Sequence, residues 1–184
     1  MTKLVGISGS LRKGSFNTAL LRAAAALAPD GATIETATIA GIPLYDGDVE
    51  AEGFPPAAAA LKEAIAGADG VLLVTPEYNN SIPGVFKNAI DWASRPPADT
   101  ARIFAGRPFA VIGASPGRFG TILSQDAWLP VLRALGAELW TGDRLMVGSA
   151  GAMFDAAGNL TDDGTRDRLR TFVAGFAAFV DSRR

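Results

Sequence analysis

The hydrophobic pattern changes period repeatedly along the chain, and each change marks an element. Leu4-Val5-Gly6-Ile7 is a continuous apolar run within a strand-like stretch, Lys3 to Ser8, that ends in a Gly/Ser loop. Phe16, Leu20, Leu21, Ala24 and Leu27 then recur at helical spacing until Pro29-Asp30-Gly31 stops them. Thr33 to Ile39 alternates with β-branched residues and predicts a second strand. After a loop at Gly41 to Asp48, Pro56 opens an Ala-rich helix predicted to reach about Ala66. Val71-Leu72-Leu73-Val74-Thr75 reads as a strand covered on both faces, ended by Pro76. Gly84 to Trp92 predicts a helix, and a Pro-rich loop follows at Arg95-Pro96-Pro97.

The second half repeats the alternation. Phe109 to Ala114 predicts a fourth strand, then a Gly-rich turn and a helix ending near Gly136. Glu138 to Trp140 and Leu145 to Val147 read as strand pieces, and residues 152–160 as an irregular excursion turning at Gly158-Asn159. Thr161 or Asp162 can cap a last helix with one face formed by Leu169, Phe172, Val173, Phe176 and Val180. Buried strands alternating with helices imply an α/β fold, a parallel sheet covered on both sides. Five such units suit a flavodoxin-like three-layer sandwich, a five-stranded parallel sheet of order 2-1-3-4-5, as one domain over residues 1–184. In that order strands one, three and four are neighbours. The loops at their C-terminal ends converge at the topological switch point, where such sheets bind ligands.

Those three loops carry unusual residues. Gly9-Ser10-Leu11-Arg12-Lys13-Gly14-Ser15-Phe16-Asn17 opens the first helix with small residues, hydroxyl and amide donors and two cations. A helix N-terminus offers free N–H groups to an anion. The helix dipole contributes about 0.3–1 kcal/mol, whereas each hydrogen bond to a charged group contributes about 1.5–3 kcal/mol. Ser10, Ser15, Asn17 and the backbone amides should therefore dominate. Gly9 and Gly14 have the spacing of a nucleoside-triphosphate loop, but Ser15-Phe16 replaces its Lys-Ser/Thr, and the G-x-G-x-x-G of dinucleotide sites is absent. A single terminal phosphate, as in FMN, fits best. The loop at Thr75-Pro76-Glu77-Tyr78-Asn79-Asn80-Ser81 offers an aromatic face and backbone groups for a flat ring with a polar edge. Gly113-Ala114-Ser115-Pro116-Gly117-Arg118-Phe119-Gly120 lets backbone approach a ligand closely.

Composition narrows the chemistry. The 184 residues include no Cys and no His, which excludes disulfides, thiol redox chemistry, Cys/His zinc sites and imidazole catalysis. Redox activity would have to come from a bound cofactor. A net charge of −2 gives no reason to expect nucleic acid, and is mild for a carrier that docks on basic partners. Phe172 to Val180 is far short of the ~20 residues that span a bilayer, so no membrane partner is expected. Met1 leads straight into the first strand, which makes a secretory signal unlooked-for and a cytoplasmic protein the expectation.

On the Gly9–Asn17, Ile42-Pro43-Leu44-Tyr45-Asp46, Thr75–Asn79, Ile82-Pro83-Gly84 and Lys87-Asn88-Ala89-Ile90-Asp91-Trp92 segments, the chain resembles the NADPH-dependent FMN reductase family, and within it the bacterial chromate/quinone reductases. The resemblance covers most of the chain to about Gly120. It implies FMN as cofactor and NADPH or NADH as reductant. It implies phosphate contacts from the loop spanning Ser10, Leu11, Arg12, Ser15, Phe16 and Asn17. The ring edge would lie against Glu77, Tyr78, Asn79 and Asn80, with Ser115 and Gly117 beside the ring. It also implies a homodimer or homotetramer with the flavin near the subunit interface, and a hydride relay through flavin N5 to a small-molecule electron acceptor. Quinones are the preferred acceptors, alongside chromate, azo compounds and free flavin. No side chain is assigned as catalytic acid or base, and no metal is expected. Relatives often carry Arg and then an aromatic early in the helix after the fourth-strand loop; this chain has Leu123 and Asp126 there, which bears on tetramer contacts and acceptor preference. The rival readings are a flavodoxin-like electron-transfer protein that binds FMN without efficient NAD(P)H oxidation, and a module for another phosphorylated ligand.

Overall fold

A computed structural model describes all residues, Met1–Arg184. Its strands are β1 (Thr2–Ser8), β2 (Ala32–Ala37), β3 (Gly70–Val74), β4 (Pro108–Ala114), β5 (Glu138–Leu139) and β6 (Met146–Val147). All pair in parallel, in the order β2-β1-β3-β4-β5, with β6 also on β4. The expected order 2-1-3-4-5 is thus observed. The fifth position is shared, because β5 pairs at Pro108 and Phe109 while β6 pairs at Gly113 and Ala114. A bend at Gly142 lies between the two pieces.

The helices are α1 (Phe16–Ala26), α2 (Gly47–Glu52), α3 (Pro56–Ala66), α4 (Gly84–Ala93), α5 (Thr100–Phe104), α6 (Ile122–Ala134), α7 (Ala150–Met153) and α8 (Asp163–Asp181). Of these, α2, α5 and α7 are one or two turns long and too short to show a hydrophobic period, as is a 3₁₀ turn at Pro97–Asp99. The second strand ends at Ala37, two residues before the expected Ile39, whose side chain is nonetheless buried.

Alternate strand residues serve opposite faces. Leu4, Leu72, Val74 and Ile112 face α1 and α8 through Leu20, Ala24, Phe172 and Phe176. Val5, Ile7, Val71, Leu73 and Phe109 face the other layer, packing on Leu61, Phe86, Ile90 and Trp128. Asp162 caps α8 as expected: its carboxylate accepts from Thr165 N at 2.7 Å. No helix is long and apolar enough to cross a membrane.

Candidate functional site

Because β1, β3 and β4 are adjacent and parallel, their C-terminal loops emerge on one edge of the sheet. Two close approaches weld that edge together. Gly9 N donates to Val74 O at 2.9 Å, and a Cβ at Gly9 would fall 2.1 Å from the Phe86 ring of α4. A Cβ at Gly113 would fall 2.1 Å from Thr75 O and 2.2 Å from Thr121 Oγ1. Real Cβ atoms do not approach so closely, so both positions require glycine.

The first loop is a row of donors. Ser15 is the N-cap of α1, and its Oγ accepts from Asn17 N at 3.2 Å and Thr18 N at 3.3 Å. With the oxygen accepting, the hydroxyl proton is left for an outside acceptor. Arg12 N donates to Ser10 Oγ at 3.3 Å, and Ser15 N to Arg12 O at 3.2 Å. The N–H groups of Ser10, Leu11, Lys13, Gly14 and Phe16 find no acceptor within the protein. A clustered set of free amides around one hydroxyl at a helix N-terminus suits a phosphate. The Arg12 guanidinium sits 6.0 Å above the Phe16 ring.

Asn17 has a different task from its neighbours. Its side chain is buried; Nδ2 donates to Ala114 O and Oδ1 accepts from Ala114 N, both at 2.8 Å. The amide stands in for a strand peptide beyond the end of β3 and fixes the start of α1 to β4. One Nδ2 hydrogen remains for a ligand.

In the second loop, Tyr78 and Ser81 exchange backbone hydrogen bonds of 3.1 Å across Asn79 and Asn80, whose φ angles are 50° and 63°. Two consecutive left-handed residues make a tight hairpin turn of the I′ kind, and Asn tolerates that conformation well. The turn leaves Tyr78 half exposed, at 50%, and the N–H groups of Glu77, Asn79 and Asn80 without protein acceptors. The Glu77 carboxylate turns the other way. Its Oε2 accepts from Leu123 N at 2.8 Å and Ser124 N at 3.0 Å, capping α6 from outside the helix. Thr121, the N-cap residue itself, makes no such bond.

Behind this loop lies a residue that sequence reasoning left unassigned. Thr75 is fully buried; its Oγ1 donates to Pro76 O at 2.8 Å, shares a 2.8 Å hydrogen bond with Ser124 Oγ and lies 3.1 Å from the donating Trp128 Nε1. A hydroxyl closing an all-apolar run was the available signal.

The third loop is closed on itself. Ser115 Oγ donates to Gly120 O at 2.6 Å, Ser115 N to Val147 O at 3.0 Å and Ser149 N to Gly117 O at 2.9 Å. Gly117 N, Arg118 N and Phe119 N stay free, and Phe119 is 79% exposed. The structure therefore brings Ser10 to Asn17, Glu77 to Asn80, and Ser115 with Gly117 to one edge. Within that set the Glu77 carboxylate, most of the Asn17 amide and the Ser115 hydroxyl proton are engaged by the protein.

Beside the edge, Asn88 and Trp92 of α4 clamp the Pro43–Tyr45 segment. Tyr45 N donates to Asn88 Oδ1 at 2.8 Å, while Asn88 Nδ2 and Trp92 Nε1 donate to Pro43 O at 2.8 and 2.9 Å. The clamp presents Leu44 with 79% of its surface exposed. Tyr45 Oη donates to Glu50 at 2.9 Å, and Arg95 Nε to the same oxygen at 3.1 Å. Burial pushes the Glu50 carboxyl up, but the bonds from Tyr45 and Arg95 outweigh it and hold it below its ordinary value. The same carboxylate raises the Tyr45 phenol.

A parallel sheet of this order, with a phosphomonoester-shaped donor loop and a tight aromatic turn at its switch point, defines a flavodoxin-like mononucleotide-binding protein. Residues 2–152 match the family model for NADPH-dependent FMN reductase, and the chain belongs to that family. It is 50% identical over 178 residues to an NAD(P)H-dependent FMN reductase of Pseudomonas aeruginosa, covering 97% of this chain and 95% of that protein. It is 42% identical over 182 residues to a 2-hydroxy-1,4-benzoquinone reductase of a Burkholderia species, covering 99% and 98%. The solved structure of a flavoenzyme NAD(P)H:(acceptor) oxidoreductase from Paracoccus denitrificans superposes with a TM-score of 0.88 at 34% identity, covering 99% of this chain and 98% of that one.

Proposed function

We propose that this chain is an FMN-dependent NAD(P)H oxidoreductase that reduces quinones and other small acceptors, with residues 1–184 acting as one FMN-binding unit. The observation that carries this reading is the set of free N–H groups around the Ser15 hydroxyl, on the same sheet edge as the half-exposed Tyr78 turn. In the proposed complex, Ser15 and the amides of Ser10, Leu11, Lys13, Gly14 and Phe16 hold the FMN phosphate. The amides of Glu77, Asn79 and Asn80 serve the polar edge of the ring, Tyr78 gives it an apolar flank, and Gly117 lets backbone lie close beside it. Bound there, FMN supplies the two-electron chemistry between NAD(P)H and acceptor. The protein's own part is to orient: Glu77 ties the second loop to α6, and Asn17 ties the first to β4.

The proposal includes a homodimer. Leu11, Leu44, Tyr78, Phe119 and Leu123 are exposed apolar residues, four of them on the site loops or at the start of α6, which a second copy would cover. We assign the protein to the cytoplasm, where reduced nicotinamide is regenerated. Anaerobic mixing of the FMN-loaded protein with NADPH tests the function. Rapid bleaching of the flavin band, reversed by adding a quinone, is expected. Slow or absent bleaching with FMN firmly bound would favour an electron carrier instead, and a protein that stays colourless in FMN would overturn both.

A further inference from the structure

Behind the Glu77–Asn80 turn, just past the end of β3, four polar groups are linked in the interior. Thr75, Ser124 and Trp128 are fully buried, and each hydrogen bond among them can be given a direction. Trp128 Nε1 is a donor only, so the Thr75 oxygen accepts from it at 3.1 Å. Thr75 has a single proton and two acceptors within reach, Pro76 O and Ser124 Oγ, each at 2.8 Å. No other donor reaches Pro76 O. The Ser124 hydroxyl in turn has no acceptor but Thr75. One arrangement satisfies all four groups: Thr75 donates to Pro76 O, while Ser124 and Trp128 both donate to Thr75. The Thr75 hydroxyl then gives its one proton and fills both lone pairs. Trp128 is held for this contact by Phe86, edge-on with centroids 5.0 Å apart, and Phe86 itself lies against Gly9. Ser124 also fixes the far side of the segment, since its N–H donates to Glu77 Oε2 at 3.0 Å.

The Pro76 carbonyl and the Glu77 N–H belong to one peptide unit. A hydrogen bond accepted at the oxygen draws electron density from the nitrogen and makes the N–H a stronger donor. Bonds in such a chain strengthen one another by about 10–30% each. Two donors feed the Thr75 oxygen, so the proton it offers to Pro76 O is itself more strongly polarised. The Glu77 N–H stands at the end of the chain and has no acceptor in the protein. A flavin ring gains electron density on reduction, so a stronger donor at its polar edge favours the reduced form over the oxidised one.

We propose, on the reductase reading above, that Thr75 and Trp128 are positioning residues that act through the Glu77 N–H to raise the reduction potential of bound FMN. The test is anaerobic spectroelectrochemical titration of the FMN-loaded protein, which reads the ratio of affinities for reduced and oxidised FMN. Thr75→Val should cost reduced FMN about threefold more affinity than oxidised FMN, lowering the midpoint potential by about 15 mV. Trp128→Phe removes one donor and orphans no polar group; it should shift the ratio the same way by about twofold, or about 9 mV. It carries the test alone if Thr75→Val, which leaves Trp128 Nε1, Ser124 Oγ and Pro76 O unpaired, does not fold. Thr75→Ser keeps the hydroxyl and should keep the wild-type potential. A purely structural role would weaken both redox forms equally and leave the potential in place. A potential unmoved in Trp128→Phe, or one that moves as far in Thr75→Ser as in Thr75→Val, would overturn the inference while leaving the reductase reading intact. Failure of the wild type to take up FMN would overturn both.

Discussion

Ser15 is the residue at which folding and ligand binding meet, and its two roles can be separated by substitution. Its Oγ accepts the amide protons of Asn17 and Thr18 at 3.2 and 3.3 Å, while its own proton has no acceptor within the protein. Ser15→Ala removes the cap, which costs about 1 kcal/mol, in a range of about 0.5–2. For a chain of this length that lowers the apo-protein melting temperature by about 2–4 °C. The same change removes one charge-assisted hydrogen bond to the phosphate, about 1.5–3 kcal/mol, which is roughly ten- to a hundredfold in the FMN dissociation constant. Ser15→Asp divides the effects. Aspartate caps a helix as well as serine does, so the apo protein should melt close to wild type. Its carboxylate would confront the phosphate with like charge, so FMN binding should fall much further than in Ser15→Ala. Differential scanning calorimetry of the apo forms and fluorescence titration with FMN measure the two quantities. If Ser15→Asp binds FMN as tightly as wild type, the phosphate does not lie at this helix N-terminus.

Other residues carry sharper structural or pH signatures. Asn17→Ala leaves the Ala114 N–H and C=O buried without partners, at about 1–3 kcal/mol for each group, and should destabilise the apo protein by about 2–6 kcal/mol in urea unfolding. Glu77→Ala frees two amides at the start of α6 and releases the second loop, so FMN affinity should drop about tenfold although Tyr78 and Asn79 are untouched; Glu77→Gln, which keeps an acceptor oxygen, should recover much of it. Glu50 is held below its ordinary value of 4.5, so the stability it contributes is complete above that pH and is lost as pH falls through the lower folded value. Urea midpoints of wild type and Glu50→Gln followed downward from pH 5 should therefore converge; curves that stay parallel would show that the Tyr45–Glu50–Arg95 cluster does not couple to protonation.

Long elements were legible because their apolar period is long enough to repeat. The helix expected from Pro56 to about Ala66 is α3, and the apolar run at Val71 is β3, shifted by one residue. The short helices α2, α5 and α7 were not legible, since one or two turns cannot repeat an apolar period; α2 begins at a local cap, Asp46 on Asp48 N at 2.9 Å. The convergence of the three loops followed from sheet order alone. What side chains do within those loops did not. The family resemblance implied Glu77 and Ser115 as neighbours of a ligand, yet the Glu77 carboxylate reaches across to α6 and the Ser115 hydroxyl folds back on Gly120. Neither partner lies at a spacing that a linear pattern encodes. The Ile42–Asp46 and Lys87–Trp92 segments are similar in kind: two separate motifs in the sequence form a single clamp through Asn88, Trp92 and Pro43.

The claim beneath all of this is that three neighbouring strand ends make one receptacle for one mononucleotide. A crystal structure of the chain grown with FMN tests it most directly. The expected density shows phosphate oxygens within hydrogen-bonding distance of Ser15 Oγ and the Ser10 to Phe16 amides, and the ring against the Glu77 to Asn80 turn. FMN bound with its phosphate away from the start of α1, or its ring away from Tyr78, would contradict the account.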